Sequence, residues 1–257
     1  MSNLIVSKEE ILSTYKDYKK GFAALKKYEN WFPVKTSPRL AGIIGDLIGD
    51  GHLQDNPKWR LDYTSKSKKE LRRFGSEVYS LFKVKGKIRE CKANRFGKTF
   101  NYGVNCKVLA RTLKLCGVPT GAKVLKEFDI PEWVLKDKEC FRRFVCRLFS
   151  CEGRLDTSKN NPSIELEMWK RAELLPNSIK FFNEIRTHLD KYFDIKCSNV
   201  FSKKFPIKTR SDNIKTNSAR IKIKRKDSIM KFYNNIRFDD KIKKDKLLRI
   251  LELKGLN

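Results

Sequence analysis

Two helical segments of this chain stop in the same way, and the shared ending limits the folds open to it. From Pro38 the apolar residues recur with helical period as far as Asp50, and Gly51 ends the helix. A second helix over about 138–152 runs into Glu152 and stops at Gly153, 102 residues after the first stop. The same order of elements follows each stop. In the first copy, residues 58–64 alternate as a strand and 67–83 read as a helix. Strands at 86–92 and 98–104 flank a hairpin loop over 93–97, and the helix 105–116 ends at Gly117. In the second copy, 163–169 alternate, 177–193 read as a long helix, and 196–205 and 218–225 fit strands. Helices then fit 227–235 and about 240–254. Two copies are too few for a stacked array, so the pattern is a divergent duplication. It implies a helical extension over 1–37, a first half over 38–137 and a second half over 138–257.

The helices carry unusual faces. Gly42, Gly45 and Gly49 fall within a stripe of roughly 60°. Each glycine costs a helix about 1 kcal/mol against alanine, so three on one stripe point to close approach of another backbone. In the second helix Cys146, Ser150 and Cys151 supply small side chains, while Arg147 stands where the first helix has Gly45. An acid in the last turn faces the unfavourable end of the helix dipole, where a cation is favoured. If the two helices lie side by side, Asp50 and Glu152 form an oxygen-rich pair suited to Mg²⁺, which takes few protein ligands.

The charge agrees with a polyanionic partner. Lys and Arg number 58 against 30 acids, a net +28. Between Lys196 and Lys226 there are 11 basic residues and a single acid, Asp212, interleaved with Val200, Phe201, Phe205, Ile207, Ile221 and Ile223. That clustering suggests a charged strand face rather than a uniform composition bias. Nucleic acid is the expected partner and a membrane is not, since no stretch approaches the roughly 18 apolar residues of a spanning helix. The start, MSNLIVSKEE, lacks a signal pattern, so an intracellular location with reduced thiols is expected. Seven cysteines without a C-x-x-C pair, and only two histidines, argue against a disulfide scaffold or a structural zinc site.

Strand alternation nominates the recognition residues. Lys58, Arg60, Asp62 and Thr64 share one face against Trp59, Leu61 and Tyr63; Lys87 and Arg89 oppose Ile88; Arg220, Lys222 and Lys224 oppose Ile221 and Ile223. Such a ribbon suits the major groove, where Arg reads guanine and Asp accepts from cytosine. Lys203 and Lys204 join this set from the basic stretch. Lys68, Lys69, Arg72 and Arg73 read as phosphate contacts. Glu165 and Glu167 face away from Ile164, Leu166 and Met168, either to read cytosine or to brace neighbouring Arg. In the extension, Lys16, Lys19, Lys20, Lys26 and Lys27 leave two readings open, a DNA-binding arm or a packing helix. His52 reads as a surface residue and Cys151 as a packing residue.

Leu40–Leu53 (LAGIIGDLIGDGHL) and Phe144–Leu155 (FVCRLFSCEGRL) resemble the paired motifs of the LAGLIDADG homing endonuclease family. Leu115–Gly121 (LCGVPTG), Ile130–Trp133 (IPEW) and Ile236–Phe238 (IRF) add to the resemblance, which covers about 38–257. It implies an α+β fold: a pseudo-symmetric monomer of duplicated αββαββα halves, two antiparallel saddle-shaped sheets along DNA, and motif helices paired at the centre. It implies site-specific double-strand DNA cleavage with divalent metal at a long asymmetric target. Mg²⁺ is the implied cofactor, with Mn²⁺ substituting and Ca²⁺ binding without supporting cleavage. Carried over, Asp50 and Glu152 are the catalytic metal ligands, assisted by backbone carbonyls of Gly49 and Cys151. Lys66 and Lys170 fit the slot for a basic residue after the first strand of each half, to hold water, to stabilise the phosphorane or to contact phosphate. The alternative is an RNA-binding intron maturase of the same fold, with host intron RNA as partner. A regulator that has lost cleavage is disfavoured because both acids are present. A free-standing protein is expected over an intein, since the first residue is neither Cys nor Ser.

Overall fold

A computed structural model describes residues 3–91, 97–202 and 208–256. The chain divides into two compact units, Met1–Gly121 with Pro131–Cys140, and Ala122–Ile130 with Phe141–Asn257.

The first unit opens with β1 (Leu4–Val6), α1 (Lys8–Ser13), α2 (Tyr18–Lys26) and β2 (Val34–Lys35), β1 pairing antiparallel with β2. Ser7 and Glu10 cap α1 reciprocally, and Asp17 caps α2. There follow α3 (Pro38–Ile48), β3 (Gly51–Gln54), β4 (Arg60–Ser65), α4 (Lys68–Phe82), β5 (Lys87–Glu90), β6 (Phe100–Val104), α5 (Lys107–Leu115) and the short α6 (Glu132–Lys136). The sheet order is β3-β4-β6-β5, antiparallel throughout. The expected alternation holds in β4 from Arg60 on, with Leu61 and Tyr63 buried; Trp59, also buried, precedes the strand at φ +48°. Tyr63 stacks on Phe74 of α4 at 4.5 Å, and Phe74 meets Tyr102 edge-on at 5.9 Å. β5 departs from expectation. It is an edge strand exposed at every position, so Ile88 lies in solvent rather than in a core.

The second unit is built on α7 (Lys138–Glu152), β7 (Gly153–Asp156), β8 (Ser163–Arg171), α8 (Leu175–Phe193), β9 (Phe201–Ser202), β10 (Lys208–Thr209), β11 (Lys215–Ile223), α9 (Lys226–Asn235) and α10 (Lys241–Leu253). Its antiparallel sheet runs β10-β11-β8-β7, with β9 also paired to β11. Ile164, Leu166, Ala219, Ile221 and Ile223 face a core shared with Phe149, Phe181, Phe232 and Phe238, all fully buried or nearly so. Both units thus carry the αββαββα order, β9 and β10 together standing for the third strand of the second.

The sequence reading missed β1 and β2 in the extension expected to be helical, β10, and two strands at the motif ends. β3 and β7 begin at the motif glycines themselves and are only four residues long, too short for alternation to register. The strand expected over 196–205 is confined to Phe201–Ser202 among the described residues, and β11 starts at Lys215, three residues early. Lys203, Lys204, Phe205 and Ile207, and most of the hairpin loop expected over 93–97, lie outside the described residues. No described helix is long and apolar enough to cross a membrane.

Candidate nucleic-acid interface and acid-bearing helix ends

The second motif helix passes directly into its strand, and the first does so through the two-residue turn of Gly49 and Asp50. Ser37 caps α3 by accepting from the Leu40 N–H at 3.2 Å, and Pro38 occupies the first turn. Nine successive residues of α3, Leu40–Ile48, are buried. The helix ends at Gly49, whose N–H donates to the Gly45 carbonyl at 3.0 Å. Asp50 emerges exposed, and its carbonyl accepts from Thr64 N–H at 3.5 Å. Gly51 permits this exit, since a Cβ there would stand 2.6 Å from Leu47 Cα. The constraint at Gly153 is tighter, with a Cβ falling 2.3 Å from the Phe149 carbonyl oxygen. The acid-glycine pair is therefore a steric device that turns a helix into a strand with the carboxylate at the corner.

A cation does sit at the second helix end, and it belongs to the protein. The Lys243 ammonium donates to the carbonyls of Phe149 (3.2 Å), Ser150 (2.7 Å) and Cys151 (3.3 Å). Lys243 is in the first turn of α10, where its N–H donates to the capping Asp240. A cation is disfavoured at a helix start, but its side chain serves the negative end of α7 instead. The Cys151 carbonyl, expected as an assisting metal donor, already accepts from Lys243. Nothing local in the sequence marks Lys243; it reaches α7 from about 90 residues away. Replacing Lys243 by Met removes the cap and is expected to cost about 1.5–3 kcal/mol, as for a hydrogen bond with a charged partner. Urea denaturation measures it, with Lys243→Arg retaining part of the stability.

The two lysines assigned to one slot take different positions. Gly51 pairs with Tyr63 and Gly153 with Leu166, so these residues are register equivalents. Lys66 lies three residues beyond Tyr63, just past β4, and is exposed. Three residues beyond Leu166 is Trp169; Lys170 is the fourth. One residue of offset turns a strand side chain to the opposite face. Lys170 accordingly points inward, 3% exposed, with its ammonium 3.7 Å from the Phe128 ring centre and donating to Asn177 Oδ1. Burial pushes its pKa down to about 8, against the opposing influence of Asp129 and Glu127. A phosphate contact by Lys170 does not fit this placement. At the equivalent outer position the cation is Lys208 of β10, 4.5 Å from the Trp169 ring centre.

The outer sheet faces are basic and braced. In the first unit Arg60 forks onto Asp62 Oδ1 at 2.6 and 2.9 Å. The guanidinium lies over Gly103, where a Cβ would meet it at 2.7 Å. Asp62 therefore orients Arg60 rather than standing ready for cytosine. Arg60, Lys85, Lys87, Arg89 and Asn105 ring a cavity of about 200 Å³ lined by donors. Thr64 accepts from Asn101 at 3.3 Å; Lys58, Lys68, Lys69 and Arg72 are exposed. Arg73 is not a phosphate contact. It bridges Glu70 at 3.0 Å and the buried Asp46 at 2.8 Å, because a carboxylate inside a helix bundle needs a partner. In the second unit Glu165 braces Lys222, its directly opposed strand partner, at 2.7 Å and the diagonal Arg220 at 3.4 Å. Lys224 is exposed beyond β11. Arg147, 1% exposed, turns with Arg143 to Asp239, each at 2.8 Å. Burial opposes ionisation of Asp239, but the two guanidinium groups outweigh it and hold its carboxyl below the usual range.

No family model matches the chain. The homing endonuclease I-WcaI, solved bound to its DNA recognition sequence, aligns over 95% of this chain and 98% of its own, with TM-score 0.55 and 17% identity. The chain has the LAGLIDADG fold. The fold also extends to the full-length DUF199/WhiA structure from Thermatoga maritima, with TM-score 0.51 and 14% identity over 84% of this chain and 60% of that one. Sharing the LAGLIDADG fold therefore does not by itself assign cleavage. Among curated proteins, the replication factor C small subunit of Methanocaldococcus jannaschii is 26% identical over 166 residues, 60% of this chain and 9% of that protein. The tRNA-splicing ligase RtcB of the same organism is 25% identical over 249 residues, 88% of this chain and 25% of that protein. The chain spans a quarter or less of the length of these relatives.

Proposed function

We propose that this chain is a site-specific double-strand DNA endonuclease that hydrolyses phosphodiesters with a divalent cation, one acid serving each strand. The observation that carries the reading is the pair of helix ends, each delivering a carboxylate at the corner where a basic sheet begins. The donor set suits Mg²⁺ used with a substrate. Among the described residues no group of three or more His, Cys, Asp or Glu gathers that could hold a metal by itself. One carboxylate per half, completed by phosphate oxygens and water, matches the habit of that ion. When bound, the cation supplies Lewis-acid stabilisation and a more acidic water.

The remaining work falls to the chain itself. Asp50 and Glu152 hold the cation, Lys66 meets phosphate charge near Asp50, and Lys208 takes the equivalent place in the second half. Lys243 fixes the carbonyl end of α7 so that Glu152 keeps its position. Arg60 and Arg220, oriented by Asp62 and Glu165, read base edges along the groove, while Lys68, Lys69 and Arg72 hold the backbone. The two sheets carry different side chains, so one chain recognises an asymmetric target as a monomer.

The test is incubation of a randomised-target DNA library with Mg²⁺ or Mn²⁺, followed by sequencing of the ends. Cutting of both strands at one long asymmetric site is the expected result, with duplex affinity falling steeply as salt is raised. Tight binding of structured intron RNA without any DNA cutting would replace this reading with the maturase.

A further inference from the structure

The N-terminal extension carries a surface that the endonuclease reading leaves unused. Arg111 of α5 lies between the rings of Tyr15 and Trp59, 4.0 Å from each centre, and donates to the Thr14 carbonyl. α2 seats directly on the same Tyr15 ring, since a Cβ at Gly21 would approach it to 2.9 Å. This stack fixes α2 on the first unit, so the extension is a packed element.

Beside the buried Gly21 and Leu25, the flank of α2 that carries Tyr18 and Phe22 is bare. Tyr18 is 63% exposed and Phe22, one turn further on, is 49% exposed. Apolar side chains at this spacing normally face a core. At about 100° per residue Lys19 and Lys26 fall next to Phe22, whereas Lys20 lies across the helix; these three, Lys16 and Lys27 are all exposed. Two acids lie nearby: Asp17 caps the helix and meets Lys20 at 3.5 Å, and Glu29 pairs with Lys8 at 2.7 Å. Lys8 rests near the Phe22 ring, 5.1 Å from its centre.

Exposed aromatic rings ringed by ammonium groups match one kind of partner. A paired duplex hides its base faces, so the rings would add nothing to binding it. An unpaired strand offers both bases to stack and phosphates to neutralise. We propose that the outer face of α2 binds single-stranded nucleic acid, bases stacking on Tyr18 and Phe22 and phosphates meeting the flanking lysines. This is independent of the cleavage reading and holds for an endonuclease or a maturase.

The test compares the full chain with the Tyr18→Ala/Phe22→Ala variant by fluorescence anisotropy. Probes are single-stranded DNA and RNA of one mixed sequence, the matching DNA duplex, and vesicles of phosphatidylcholine with phosphatidylserine. Affinity for the single strands should fall about tenfold or more, while duplex affinity stays within about twofold. Lys19→Glu/Lys26→Glu should weaken single-strand binding too and flatten its salt dependence. Both pairs are exposed, so an unchanged thermal midpoint confirms that the variants fold. Unaltered single-strand affinity, or equal loss on the duplex, would overturn the proposal. Loss on vesicles alone would reassign the face to a membrane surface.

Discussion

Asp50→Asn and Glu152→Gln should each suppress double-strand cleavage by roughly 10³-fold or more, the scale of losing one preorganised charge-stabilising group. Both substitutions keep size and hydrogen-bonding capacity but remove the charge that holds a divalent cation. Duplex binding should survive, because base and phosphate contacts are assigned to the basic sheet faces and not to the two acids. Metal-free binding should even tighten: each carboxylate repels phosphate, and like unit charges at about 4 Å and effective dielectric near 20 differ by about 4 kcal/mol before screening. Asp50 is exposed, so screening will remove much of this. Cleavage assays beside metal-free gel shifts give both readouts. Near wild-type cutting of both strands by either variant would refute the assignment, whereas loss of duplex binding would make the acids structural.

Replacing Arg220, Lys222 and Lys224 together by Ala is expected to reduce duplex affinity by two orders of magnitude or so, since each lost charge-assisted contact is worth about 1.5–3 kcal/mol before compensation. The salt slope should fall by about 0.9 for each contact that had been made to phosphate. The footprint should shrink on one half of the target only, because all three residues belong to the second sheet. The structure adds a complication. Glu165 is 4% exposed and loses both of its cations in this variant. A buried carboxylate left alone costs several kcal/mol, so part of the effect will be destabilisation. Adding Glu165→Gln should restore the thermal midpoint without restoring affinity. Equal loss of protection on both half-sites would contradict the placement of these residues.

The comparison of sequence with structure turns on distance along the chain. The helix stops at Gly51 and Gly153, the alternation over 58–64 and 163–169, and the basic outer faces were legible because each is a short-range pattern. Helical and strand periodicities are written in neighbouring residues, and so is the steric demand for glycine after an acid that must turn a corner. From those signals the duplicated αββαββα order follows.

What only the tertiary structure decided was which charge meets which. Lys170 and Lys66 looked equivalent in sequence, yet one residue of register sends Lys170 into the interior, 3% exposed, and leaves Lys208 on the outer face. Arg73 looked like its neighbour Arg72 until Asp46, 27 residues away, claimed it. Glu165 meets Arg220 across 55 residues, and Lys243 reaches the end of α7 across more than 90. Local sequence specifies the faces of helices and strands through their periods. A buried charge, by contrast, must find its partner wherever the folded chain brings one within hydrogen-bonding reach, and no local pattern records that meeting.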